Sequence, residues 1–132
     1  MVLRVTHTAL VEAVFQESVS AEEIREWLAH IEHLLESKKP FFFIASTLAH
    51  TEFSPDYRSI QAFWYRQHKP AFQRYCRGLV RIARNASEQA RLDAPALHRT
   101  WGVPYFVTLD KSEGYNWIAG RLMDRVNDDT NV

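Results

Sequence analysis

An α/β domain built on a mixed sheet of about five strands with about four helices, in the order ββαβαβαβα, is the fold this sequence predicts. Three observations carry it. Short runs rich in β-branched and aromatic residues alternate with segments whose apolar residues recur at helical spacing. Capping signals stand at the joints between them. Phe41–Ala45 is a short, continuous apolar run, as a central strand covered on both faces requires.

The elements follow in order. Val2–Thr6 and Ala9–Gln16 read as two strands joined by a turn near His7–Thr8, an opening hairpin. Ser20-Ala21-Glu22-Glu23 is a capping box, and Ile24, Trp27, Leu28, Ile31, Leu34 and Leu35 follow it on one helical face. That helix ends near Ser37–Lys39, before Pro40. After the Phe41–Ala45 strand, Ser54, Pro55 and Asp56 match an N-cap, a first-turn proline and a first-turn carboxylate. Tyr57, Ile60, Phe63, Trp64, Ala71, Phe72 and Tyr75 then form one stripe, with Pro70 expected to kink or restart the helix. Leu79–Ala83 is the fourth strand. Asn85 with Glu88, or Ser87 alone, caps a helix through Leu92, and Asp93 and Pro95 open another to Trp101. Val103–Leu109 is the fifth strand, and Asp110-Lys111-Ser112-Glu113 opens a last helix carrying Trp117, Ile118 and Leu122 inward.

The chain has 132 residues, enough for one domain with a real core, expected over residues 1–126 with a frayed tail at 127–132. No repeat or low-complexity linker divides it. No apolar run approaches the ~20 residues of a membrane helix, and the N-terminus lacks a signal-peptide layout, so a cytoplasmic location is expected. The single cysteine, Cys76, excludes an intrachain disulfide. Sixteen basic and sixteen acidic residues balance overall but not locally. Residues 1–55 carry a net charge of −4, residues 56–99 of +6, and residues 100–132 of −2. This layout permits an acidic partner or a homodimer through unlike patches, and is too mild to call for nucleic acid.

Three segments carry a likeness to a known family: SAEEIREWLAHIEHLLESKKPFFFIAS, FWYRQHKPAFQRYCRGLVRIA and GVPYFVTLDKSEGYNWIAGRL. In their apolar spacing and element order the chain resembles the STAS domain, in its SpoIIAA-like branch, from about Leu3 to Leu122. The resemblance implies a bacterial, non-enzymatic regulatory module akin to anti-sigma-factor antagonists, which docks a protein partner. Its alternative is a sensor or carrier of a nucleotide or lipid-like ligand. It also implies a switch hydroxyl just after the third strand, where this chain reads Ala45-Ser46-Thr47 with no acidic residue before the hydroxyls.

The partner or switch loop is accordingly expected at Ser46, Thr47, Thr51, Ser54, Asp56 and Arg58. A phosphate on Ser54 would sit at a helix N-terminus with Arg58 one turn on, although an N-cap serine has the same placement. Trp64, Tyr65, Arg66, Lys69, Phe72 and Arg74 interleave aromatics with bases and form a candidate interface, against the plainer reading of a solvated helix with core aromatics. Arg81 is expected at an edge or lateral position. Glu26, His30 and His33 fall on adjacent turns but lack the further ligands of a metal site, and no metal or cofactor is expected. Arg74 and Arg77 flank Cys76, which reads either as an activated thiol or as a partly buried helix-end cysteine. No G-x-G-x-x-G, Walker or G-x-S-x-G motif occurs, and no catalytic set can be named.

Overall fold

The computed structural model describes residues 3, 5 and 7–130, with side chains through residue 123. Its strands are β1 (Ala9–Phe15), β2 (Ser18–Val19), β3 (Phe41–Thr47), β4 (Glu52–Phe53), β5 (Cys76–Ile82) and β6 (Tyr105–Thr108). Its helices are α1 (Ala21–Glu36), α2 (Tyr57–Tyr75), α3 (Ala86–Leu92), α4 (Pro95–Trp101) and α5 (Lys111–Thr130). The α/β class is as the sequence predicts. The sheet is different in detail: β1, β3, β5 and β6 form one four-stranded sheet in that order, and each pairing is parallel. A separate parallel pair joins β2 to β4.

The opening hairpin is therefore corrected. Val2, Arg4 and Thr6 lie outside the described residues, while Leu3 and Val5 are exposed and belong to no strand. His7-Thr8 offers neither Gly nor Asn for the positive φ that a tight hairpin turn needs. β1 instead takes its neighbour from β3, with Ala9 opposite Phe41 and Phe15 opposite Thr47. The tail expected to fray, 127–132, carries no described side chain, and residues 131 and 132 lie outside the described backbone.

β3 is buried at all seven positions. Strand alternation sends Phe41, Phe43 and Ala45 to one face, where they join Ile24, Leu28, Ile31 and Leu35 of α1 and Tyr65 and Phe72 of α2. Phe42 and Ile44 go to the other, where Val80 and Ile118 complete a smaller core under α5. At Gly114 of α5 an added Cβ would lie 3.0 Å from Val80 Cγ1, so the missing side chain is what lets the helix seat this close. α5 also reaches β1, where Lys111 Nζ lies 2.9 Å from a Glu12 carboxylate oxygen that accepts from the Tyr115 hydroxyl as well.

The capping box of α1 forms as expected: Glu23 N–H donates to Ser20 Oγ and Ser20 N–H to Glu23 Oε1. The start of α2 does not. Asp56 is its N-cap and makes no side-chain cap, and the helix begins at Tyr57, past Pro55. Ser54 Oγ accepts from Asp56 N–H at 3.3 Å, so the serine shapes a turn that precedes the helix. Nor does Pro70 restart α2, which is one helix through that position; Pro70 is exposed and leaves only the Arg66 carbonyl without its usual donor. At α5, Asp110 Oδ1 accepts from Ser112 N–H, but Glu113 reaches back to accept from Thr108 Oγ1 at 2.6 Å instead of closing a box.

α4 ends in a latch. Gly102 has φ +64°, the left-handed conformation of a helix C-cap. The Trp101 carbonyl just before it accepts from the Tyr65 hydroxyl at 2.6 Å and from Gln73 Nε2 at 3.2 Å. A Cβ on Gly102 would stand 2.1 Å from Gln73 Nε2. Gly102→Ala is therefore expected to cost about 1–2 kcal/mol in backbone strain alone and to displace Gln73. Urea unfolding of the two forms checks this; an unchanged midpoint contradicts the latch.

Candidate functional site

Alternation along β3 divides the expected switch hydroxyls between the two faces of the sheet. Ser46 shares the α5 face with Phe42 and Ile44; it is 5% exposed, and its hydroxyl has no hydrogen-bond partner among the described residues. Thr47 points the other way, into a cleft at the C-terminal ends of the strands. Thr51 is also buried, and its hydroxyl is held by the carbonyls of Phe15 (3.0 Å) and Leu48 (2.7 Å). Ser54 and Arg58 border the same cleft as Thr47, while Asp56 is exposed at the helix start. The structure thus brings Thr47, Ser54 and Arg58 together and separates them from Ser46.

The cleft has a volume of about 530 Å³ and occupies the crevice where parallel α/β sheets bind ligands. Tyr57, Arg58 and Gln61 of α2 form one wall, Glu88 and Arg91 of α3 and Trp101 of α4 the other. Arg81 of β5 and Tyr105 of β6 line its base. Four arginines (Arg58, Arg81, Arg84 and Arg91) face one carboxylate, Glu88. No histidine or cysteine is among the described residues that line it.

Those four arginines are not equivalent. Arg84 is fastened: Nε donates to Glu88 Oε2 at 2.9 Å, one terminal nitrogen to the same oxygen at 2.6 Å, and the other to the Thr51 carbonyl at 3.1 Å. Arg91 approaches Glu88 at 3.6 Å. Arg58 and Arg81 pair with no carboxylate among the described residues, and Arg81 Nε is buried without a partner. β5 lies between β3 and β6, so Arg81 is an interior-strand residue and not the edge or lateral one expected from sequence. The signal was present as a single charge inside the apolar run Leu79–Ala83. Glu88, Arg91, Trp101 and Tyr105 were not singled out for the site, because their convergence depends on how α3 and α4 fold back.

Electrostatics agree with this picture. Burial would raise the Glu88 carboxyl, but the side-chain and backbone hydrogen bonds of Arg84, with the charges of Arg84 and Arg91, hold it below the usual 4.5. Burial pushes the Tyr105 phenol up to about 12, opposed in part by the charge of Arg81. Its hydroxyl donates to the Leu92 carbonyl at 2.8 Å and so ties β6 to the end of α3.

The aromatic–basic segment of α2 resolves into two faces. Tyr65 and Phe72 are core residues, and Trp64 is half-buried with its ring 4.6 Å from that of His68. Arg66, Lys69 and Arg74 are exposed on the far side. The expected stacking surface is corrected accordingly: helical spacing turns the aromatics toward the sheet and leaves the bases without them, except for Arg74 lying over the Tyr75 ring at 5.6 Å. His33 is exposed, 3.9 Å from Glu36, and His68 lies 3.6 Å from Glu32. Cys76 opens β5, fully buried, with burial pushing its thiol up to about 12.

No family model, curated protein or solved structure matches the chain. No helix among the described residues is long and apolar enough to cross a membrane.

Two outcomes follow from these environments. Because the folded Glu88 carboxyl is depressed, its contribution to stability is complete above its unfolded value and is lost as pH falls below 4.5. Glu88→Gln is expected to destabilise by about 2 kcal/mol near neutral pH and to flatten the acid limb of stability against pH. Denaturant melts at several pH values measure both, and parallel acid limbs would contradict the assignment. For Cys76, a thiol-disulfide reagent at pH 8 is expected to label the unfolded chain at once and the native chain only at the rate of opening. Rapid native labelling would show an exposed thiolate.

Proposed function

We propose that this chain is a non-enzymatic binding domain for a small anionic ligand, received in the arginine-lined cleft at the strand ends. The observation that carries the reading is Arg81, a positive side chain on an interior strand, lining the cleft with a buried nitrogen unpartnered and, among the described residues, no carboxylate in ion-pair contact with it. An N–H donor buried without a partner costs free energy until something accepts from it. Arg58, which has no carboxylate partner among the described residues, adds a second charge at the rim, and the Thr47, Ser54 and Tyr57 side chains border the same space. Glu88 serves a different end: it fixes Arg84 and orients Arg91, keeping the cleft positive while limiting its repulsion. This is the sensor or carrier alternative raised by the sequence, with the ligand defined by charge.

Docking of a protein partner, implied by the STAS-like resemblance, is the second reading. It is favoured by Phe63, which is 58% exposed on α2 beside a groove shared with α1. A partner seated there would touch the outer side of the helix whose inner side borders the cleft.

A panel of inorganic phosphate, pyrophosphate, nucleoside phosphates and dicarboxylates, assayed by thermal shift and then calorimetry, tests the proposal. At least one anion is expected to bind saturably, with Arg81→Met weakening it about tenfold or more and Arg74→Met leaving it unchanged. Equal losses in both variants, or no saturable binding in the panel, would overturn it.

A further inference from the structure

The four-stranded sheet has unequal edges. β6 is a strand of four residues, whereas β1 has seven and, among the described residues, takes a strand partner only on its β3 side. A long edge strand offers its outward N–H and C=O groups to another strand unless a lysine, a proline or a bulge blunts it. Ala9–Phe15 contains no lysine or proline and runs in unbroken register with β3. Leu10 and Val14, which share the α5 face of the sheet with Phe42 and Ser46, remain 47% and 43% exposed. On the other face, an open groove of about 660 Å³ runs between the strand and α1.

Both elements along this edge are self-complementary about their own middles. In β1, Leu10 and Val14 stand two residues either side of Glu12. An antiparallel copy therefore sets Leu10 against Val14 of the other molecule on both sides of the centre. The two Glu12 carboxylates that meet there are each paired already, with Lys111 Nζ at 2.9 Å. In α1, Glu23, Glu26, His30 and His33 line the groove, one stripe at three- and four-residue steps. The acidic pair and the histidine pair are placed symmetrically about Leu28. An antiparallel copy thus brings Glu26 against His30 and Glu23 against His33, each imidazole offering an N–H to a carboxylate.

Trp27 sets the two centres at one level. Its ring meets those of Phe15 at 5.1 Å and Phe43 at 6.0 Å, and Phe43 stands opposite Val11. The middle of α1 therefore lies beside the middle of β1, and one two-fold axis serves both. The same contacts seat α1 over β1 and β3. With strands about 4.8 Å apart, α1 and its mate come about 10 Å apart across the joint, a separation at which helices pack.

We propose that the occupant of this edge is a second copy of the chain, its β1 pairing antiparallel with this one about Glu12. The two four-stranded sheets then become one continuous sheet, through an isologous interface. The arginine clefts open at the strand ends toward β5 and β6, so the dimer stands independently of what they bind.

Sedimentation equilibrium over the micromolar range measures the association. A strand pair with one helical stripe is toward the small end of stable interfaces, about 1,200 Å² in all, so a dimer that dissociates at micromolar concentration is expected. Val14→Lys blunts the edge, and His30→Glu sets carboxylates against each other; each is expected to weaken the dimer about tenfold or more. Adding Glu26→Lys to His30→Glu restores opposite charges across the axis and is expected to recover most of that loss. Phe63→Ser, on the groove between α1 and α2, is expected to leave the dimer intact. Val14, Glu26 and His30 are all exposed, and circular dichroism checks that each variant is folded. A monomer at every concentration overturns the proposal. So does a dimer that Val14→Lys and His30→Glu leave unchanged, or one that Phe63→Ser dissociates while Val14→Lys spares it.

Discussion

Burial of β3 on both faces is the constraint on which the remaining structure depends. A strand reading Phe-Phe-Phe-Ile-Ala-Ser-Thr, buried at every position, cannot lie at the surface of anything. It must have a strand on either side to satisfy its backbone and a helical layer above and below to cover its side chains. β1 and β5 supply the first, α1 with α2 and α5 the second. Three phenylalanines in succession leave no solvent-facing alternative, so a register slip here would exchange the contents of two cores.

That same alternation decides the chemistry of the strand ends. Ser46 and Thr47 are adjacent in sequence yet serve opposite faces, and only the threonine reaches the cleft. On β5 the rule sends Leu79 and Arg81 to the α1–α2 side and Val80 to the α5 side. A strand position that packing would give to an apolar residue is thereby given to a guanidinium. The Arg84–Glu88 pair beside it resembles this placement only superficially. There the carboxylate is local, four residues on, and joined by a backbone N–H bond, so the charge is consumed in holding the β5–α3 turn against the Thr51 carbonyl.

Much of the fold was legible because its signals are local. The Ser20–Glu23 box, the Asn85 cap, the stripe of α1 and the Phe41 run each specify their element within a few residues. Pairing direction was not: whether β1 meets a hairpin partner or β3 is decided by which buried edge it covers, and that edge lies 32 residues on, Phe41 opposite Ala9. Ser54-Pro55-Asp56 misled by two residues, since Ser54 satisfies Asp56 N–H in a bend before the helix begins. The site was legible only in part. Arg58, Ser54 and Thr47 follow from the loop, but the opposing wall depends on α3 and α4 folding over β6, held by the Tyr105–Leu92 and Tyr65–Trp101 bonds. A charge in the run Leu79–Ala83 reads equally as an edge feature or an interior one until the strand order is known.

The central claim is that the uncompensated charge of Arg81 makes the strand-end cleft an anion site and not merely one basic region among several. A residue-resolved backbone amide map during titration with inorganic pyrophosphate tests it most directly. The account predicts saturating shifts confined to Ser54–Arg58 and Arg81–Arg84, with Arg66, Lys69 and Arg74 unmoved. Weak, unsaturating shifts spread over those exposed bases, with Arg81 silent, would contradict it.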